Sequence, residues 1–208
     1  MSLQTVDGRL SVIGGASRSG KTAWTVKEVA KQARVIVWDA EEQWATLPGF
    51  KKIASRAELL KSVHSKGNAR LAFVPSGNLK SLFDLWAGCA YYWGRYHGGC
   101  YVVAEELADV TSPGKAPGNW GLLIRRGLKR GINIYAISQR WAEADKTAIG
   151  NASQFVCFRM SSTLDIAYIA KRTRINADEM LILKPFEYVT YDVATGEQSK
   201  NKLTFRKK

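Results

Sequence analysis

Eight residues near the start of the chain, Gly15-Ala16-Ser17-Arg18-Ser19-Gly20-Lys21-Thr22, match the pattern G-x-x-x-x-G-K-[ST] in full. The pattern constrains both flanks. Arg9–Gly14 before it is a short apolar run ending in glycine, which predicts a buried strand. From Thr22 the apolar spacing turns helical, with Val26, Val29, Ala30 and Ala33 on one face and Lys27, Glu28, Lys31 and Gln32 on the other. A strand that passes through a glycine loop into a helix can hold a phosphate. Gly15 and Gly20 permit turns that a Cβ would block, so successive amides converge on anionic oxygens. The helix start adds free N–H groups and a partial positive charge. On this reading residues Gly15, Ala16, Ser17, Arg18, Ser19, Gly20, Lys21 and Thr22 cradle a nucleoside triphosphate. Lys21 reaches the β- and γ-phosphates, and the Thr22 hydroxyl is a ligand for Mg²⁺.

Further along, strands and helices alternate. Arg34–Asp39, Arg70–Val74, Tyr101–Ala104, Gly131–Ser138 and Gln154–Met160 read as buried strands. Ser55 with Glu58 three residues on has the form of a capping box, for a helix to about His64. Asn78 to about Tyr96 is helical and aromatic, with Phe83, Trp86, Tyr91, Tyr92, Trp93 and Tyr96. These rings can stack on bases, and packing against a sheet is the simpler role. Leu107–Asn119, with Pro113, Gly114, Pro117 and Gly118, reads as a mobile loop, and a basic helix follows from Trp120 to Lys129. Thr163–Arg172 is a further helix. From Phe186 the pattern becomes a hairpin, with Tyr188, Thr190 and Asp192, a turn at Gly196, and a return over Lys202–Phe205. This alternation specifies an α/β domain with a mainly parallel central sheet flanked by helices, ending in a C-terminal β-hairpin. The expectation is one domain over residues 1–208, with a core at about 9–172 and an extension at about 173–208.

Hydrolysis needs acids near the phosphates. Tyr101-Val102-Val103-Ala104-Glu105-Glu106 is an apolar strand closed by two carboxylates, expected to lie beside the loop strand. Glu105 is placed to orient Mg²⁺, directly or through water, and Glu106 to polarise the attacking water. Ser138-Gln139-Arg140 ends the next strand, where Gln139 can sense the γ-phosphate or position water. Arg125, Arg126, Lys129 and Arg130 pair like charges at i,i+4 spacing, an arrangement that an anion would relieve. Arg126 and Arg130 are the candidates for an arginine finger onto a neighbouring subunit, with DNA phosphates or plain solvent as the alternatives.

Charge bears on partners. Thirty-one Lys and Arg against 18 acids give a formal charge of +13, which favours polyanions. The 46% hydrophobic fraction with only five prolines excludes a disordered adaptor. No apolar window is long enough for a membrane span, and Met1–Arg9 lacks a signal-peptide apolar core. A soluble, intracellular protein is expected. Cys89, Cys100 and Cys157 are too scattered for a disulfide framework or zinc site and read as buried small hydrophobes. His64 and His97 read as surface or helix-end residues.

With the octamer, Val102-Val103-Ala104-Glu105-Glu106-Leu107, Arg125–Gly131 and Ile137-Ser138-Gln139-Arg140 taken together, the chain resembles a known group. It is similar to the genome-packaging ATPases of icosahedral bacteriophages with an internal membrane, in the FtsK/HerA-like division of P-loop ATPases. The resemblance implies a P-loop NTPase fold and an ATP- and Mg²⁺-dependent motor driving double-stranded DNA into a preformed capsid. It implies a homo-oligomeric ring at a capsid vertex, and a location in the virion and host cytoplasm. By that likeness Lys21 and Thr22 bind nucleotide and metal, Glu106 activates water, Gln139 senses phosphate, and an arginine acts between subunits. Glu105 departs from the aspartate usual in the division. The rivals are a filamentous-phage-type assembly ATPase, a P-loop small-molecule kinase, and a virion component that merely retains the fold.

Overall fold

The computed structural model describes residues 7–205. Most of the polar opening, residues 1–6, and the Lys207-Lys208 tail lie outside the described residues. The strands are β1 (Leu10–Gly14), β2 (Arg34–Trp38), β3 (Lys51–Ile53), β4 (Ala69–Phe73), β5 (Tyr101–Ala104), β6 (Asn133–Ser138), β7 (Gln154–Phe158), β8 (Glu187–Asp192) and β9 (Gln198–Lys202). The helices are α1 (Lys21–Glu28), α2 (Arg56–Val63), α3 (Leu79–His97), α4 (Leu107–Val110), α5 (Gly118–Gly127), α6 (Lys146–Gly150), α7 (Thr163–Ala170) and α8 (Ala177–Ile182). All the strands join one sheet in the order β3-β4-β2-β5-β6-β1-β7-β8-β9. Pairing is parallel from β3 through to β7, and antiparallel only for β7–β8 and β8–β9.

Strand pleating sends alternate side chains to opposite faces, and two apolar cores result. Val12, Ile36, Trp38, Val102, Ile134 and Phe155 join one core, which α2, α3 and α5 cover. Ile13, Val35, Val37, Val103, Ile137 and Val156 join the other, with Trp24 of α1 and Trp44. Because both faces are covered, the central strands show no polar alternation, as parallel sheets require. The rings of α3 are mostly packing elements: Phe83, Trp86 and Trp93 are fully buried, and Trp38 meets Phe83 at 5.2 Å. Tyr96, 58% exposed, is the exception. Asn78 caps α3 by accepting from the Ser81 amide, and Gly98 at φ 88 ends it. The three cysteines are buried and free.

Several sequence expectations are corrected. α1 stops at Glu28, so Ala30 and Ala33 are exposed, and the inward residues are Lys21, Trp24 and Thr25. The segment Leu107–Asn119 is not a free loop: it opens with α4, the Lys146 amide donates to Gly114, and the Ala116 amide donates to Thr147 Oγ1 at 2.8 Å. The basic helix is α5 followed by a 3₁₀ turn over Leu128–Arg130, so two continuous i,i+4 pairs do not form. The hairpin returns over Gln198–Lys202 rather than Lys202–Phe205. Its turn closes tightly at Gly196 (φ 73), and β9 is an exposed edge with no apolar residue to mark it. β3, α6 and α8 are too short to show a period in the sequence. No helix among the described residues is long and apolar enough to cross a membrane.

Candidate functional site

The loop between β1 and α1 sits at the carboxyl edge of the sheet. Gly15 is irreplaceable for space, because a Cβ there would lie 2.6 Å from Ser19 Oγ and 2.7 Å from Phe158 Cβ. Gly20 has φ 119, and a Cβ would meet Leu203 and Phe158 at 3.0 Å. The first-turn amides of α1 have no upstream carbonyl within the helix, and Ser19 Oγ is buried without a partner among the described residues. These are the donors that a bound phosphate chain would take. The Lys21 ammonium donates to the Gly15 and Ala16 carbonyls at 2.9 and 3.1 Å. Burial pushes its pKa below the usual lysine value, and the Glu106 and Glu105 carboxylates pull it partly back. The loop cation and the strand-end acids therefore share one site.

The acids do not arrive as expected. β5 is not adjacent to β1, because β6 stands between them. With strands roughly 4.8 Å apart, the carboxylates of β5 must reach across the intervening strand, and Gln139 at the end of β6 lies between. Glu105 uses both oxygens: Thr22 Oγ1 donates to one at 3.3 Å, and the Trp44 indole N–H donates to the other at 2.7 Å. Burial raises its pKa above the usual carboxylate value, and the Trp44 and Thr22 hydrogen bonds oppose that rise. Glu106 caps α4 in a left-handed backbone, φ 47 and ψ 57, a conformation that costs a side chain of this kind about 1–2 kcal/mol. Its carboxylate accepts from the Gln139 side-chain amide at 2.9 Å and from the Gln139 backbone amide at 3.3 Å.

Two groups in this network were not singled out from the sequence. Asp39, just past β2 and 2% exposed, accepts from the Gln43 and Ala45 amides at 2.8 Å each. That clamp forms the 3₁₀ turn Trp44–Thr46 and aims the Trp44 indole at Glu105. A lone aspartate directly after a buried strand was the available signal. Beside Gln139, Arg140 pairs with the buried Asp165 at 3.3 Å, and Asp165 also accepts from the Ala142 amide. Asp165 lies far away in sequence, on α7, and no motif joins it to Arg140.

Arg126 and Arg130 are not at this site. Both are exposed at the end of α5 and the 3₁₀ turn before β6. The six residues of β6 separate that end of the sheet from Gln139, roughly 20 Å at strand rise. Among the described residues no group of three or more His, Cys, Asp or Glu is poised as a metal cage. Thr22 with Glu105 fits a cation that takes few protein ligands and completes its shell with phosphate oxygens and water. The cleft that Lys21, Thr22, Glu105, Glu106 and Gln139 line holds about 930 Å³ and continues to Phe186.

No protein-family model matches the chain. It is 31% identical to Protein P9 of Pseudoalteromonas phage PM2 over 202 residues, 94% of this chain and 90% of P9. The genome packaging NTPase B204 of Sulfolobus turreted icosahedral virus 2, solved with AMPPCP, superposes with a TM-score of 0.78 at 13% identity, covering 96% of this chain and 99% of B204. B204 of Sulfolobus turreted icosahedral virus, described as a DNA-packaging ATPase, gives 0.74 at 15% identity, covering 98% and 100%. At such identities the likeness to both structures is one of fold, a P-loop NTPase fold throughout.

Proposed function

Since the chain belongs to the family of Protein P9 of phage PM2, in the FtsK/HerA-like division of P-loop ATPases, we propose that it is an ATP-hydrolysing motor. It moves double-stranded DNA into a preformed viral capsid, as a single P-loop ATPase domain repeated in a homo-oligomeric ring at a capsid vertex. The observation that carries the reading is the convergence on one cleft of the Gly15–Thr22 loop, Glu105, Glu106 and Gln139.

The residues divide the work. The loop amides, Ser19 and Lys21 hold the triphosphate and neutralise its charge. Thr22 and Glu105 would hold Mg²⁺, which when bound would stabilise negative charge on the phosphate oxygens. Glu106 takes the proton of the attacking water. Gln139 holds the Glu106 carboxylate by two hydrogen bonds, so the base cannot swing away and a change at the γ-phosphate reaches β6. Arg126 or Arg130, remote from its own cradle, serves the cradle of a neighbouring subunit, where guanidinium charge would offset that developing in the transition state. The excess of 31 basic residues over 18 acidic ones suits a DNA track. The genome-packaging B204 proteins share the fold over nearly their whole length. Such a motor acts in the host cytoplasm, at the virion vertex during assembly.

The test is phosphate release with and without double-stranded DNA. Mg²⁺-dependent hydrolysis should rise with DNA, weaken steeply as salt displaces it, and vanish in Lys21→Ala. Hydrolysis indifferent to DNA at every salt concentration would overturn the motor in favour of a small-molecule kinase or another P-loop enzyme.

A further inference from the structure

The two sides of the loop strand are unlike. On one side β6 and β5 bring Gln139, Glu105 and Glu106 to the cleft. On the other, β7 and the hairpin bring no carboxylate; they bring aromatic and aliphatic side chains. Phe186, in the connection from α8 to β8, lines the same cleft as Gly20 and Thr22. A Cβ on Gly20 would lie 3.2 Å from its ring. Phe205 meets Phe186 edge-on at 5.1 Å, and the Lys27 ammonium donates to the Thr204 carbonyl at 2.6 Å, tying the end of the hairpin to α1. The Leu203 amide donates to the Phe186 carbonyl at 2.9 Å, closing the shelf from behind.

Phe186 is also in the wrong backbone for its type. Its φ is 65, in the left-handed region that a bulky residue avoids and a glycine enters freely. The apolar space beneath Gly20 is already occupied by buried Phe158 and Leu203. Phe186 packs against the edge of the second core and is only half-buried, so a strained aromatic stands at the rim of the cleft. Strain held at a cleft points to use by a ligand.

We propose that Phe186 is the nucleobase shelf of this site: a purine stacks on its ring while the phosphates run past Gly20 and Thr22 towards Lys21. The inference rests on the nucleotide reading of the cleft and adds what recognises the base. Stacking reads the face of a base and not its edge, so ATP and GTP should bind within a few-fold of each other. An aromatic stacking partner is commonly worth roughly tenfold in affinity on removal.

Calorimetric titration of a non-hydrolysable ATP analogue and of inorganic tripolyphosphate, both with Mg²⁺, tests it. The parent should bind the analogue roughly tenfold more tightly than tripolyphosphate. Phe186→Ala should bring the analogue close to tripolyphosphate and leave tripolyphosphate unchanged, and Phe186→Tyr should restore the difference. Phe186→Gly adopts the same φ without strain, so its result stands even where alanine disturbs the fold. Unchanged analogue affinity in Phe186→Gly, or an equal fall for both ligands, overturns the shelf. A parent that binds neither ligand overturns the phosphate cradle itself, a distinct failure.

Discussion

Replacing Trp44 by Phe tests whether Glu105 works as a held carboxylate. Trp44 is fully buried, donates to Glu105 at 2.7 Å and meets Phe50 edge-on at 5.4 Å. Phenylalanine keeps a ring in that position and deletes only the donor and part of the volume. The lost volume costs about 1–2 kcal/mol and the lost hydrogen bond to a charged acceptor about 1.5–3 kcal/mol, so the melting temperature falls by about 5–20 °C for a chain of this size. Hydrolysis should fall as well, by at most roughly ten- to hundredfold, the limit in which the whole of that bond is lost from the transition state. The pH dependence supplies the sharper test. Burial raises the Glu105 pKa and the Trp44 bond holds it down, so losing the bond lifts it further. A step that needs the carboxylate ionised fails as pH falls through that pKa, so the acid limb of the rate profile must move to higher pH. Rates from pH 5 to 9, with circular dichroism on the same samples, check this. A slower enzyme with an unmoved acid limb would show that Trp44 only fills space. In a Glu105→Gln background the same change should add little, because the two act through one bond.

Glu106→Asn places a residue that tolerates the left-handed backbone at φ 47 but gives up the carboxylate that accepts both Gln139 hydrogen bonds, so the two effects offset and thermal unfolding should shift by less than about 4 °C while hydrolysis disappears. A variant that still hydrolyses ATP at the parent rate would refute Glu106 as the base. Asp145→Ala removes the cap of α6 and leaves the buried Trp120 indole N–H, now bonded at 2.9 Å, without an acceptor. The expected cost is about 2–4 kcal/mol, read by urea unfolding, and a loss below about 1 kcal/mol refutes the assignment.

The local elements were legible where chemistry and period coincide. The Gly15–Thr22 loop, the strands β1, β2, β4, β5, β6 and β7, the Ser55 cap and the turn at Gly196 follow from residue type and spacing. The family resemblance stated from those motifs holds. Elements with no apolar period escaped: β9 is wholly exposed, and β3, α6 and α8 are too short to show one. The mobile loop expected around Pro113 failed because its tethers, Thr147 and Lys146, lie some thirty residues downstream.

For the site, the chain by itself determined which groups exist: a phosphate loop, two consecutive acids, a glutamine and a basic surface. These are written in contiguous residues, since each depends on one turn or one strand end. Tertiary structure alone decided how they meet. Strand order is a non-local choice, and it put β6 between β1 and β5, which made Gln139 the partner of Glu106. The same assembly aimed Trp44 at Glu105, brought Phe186 beside Gly20 and carried Arg126 and Arg130 to the far end of the sheet. Each of these juxtapositions joins residues distant along the chain or sets them apart in space, and burial of both sheet faces, with hydrogen bonds such as those to Asp39, fixes them.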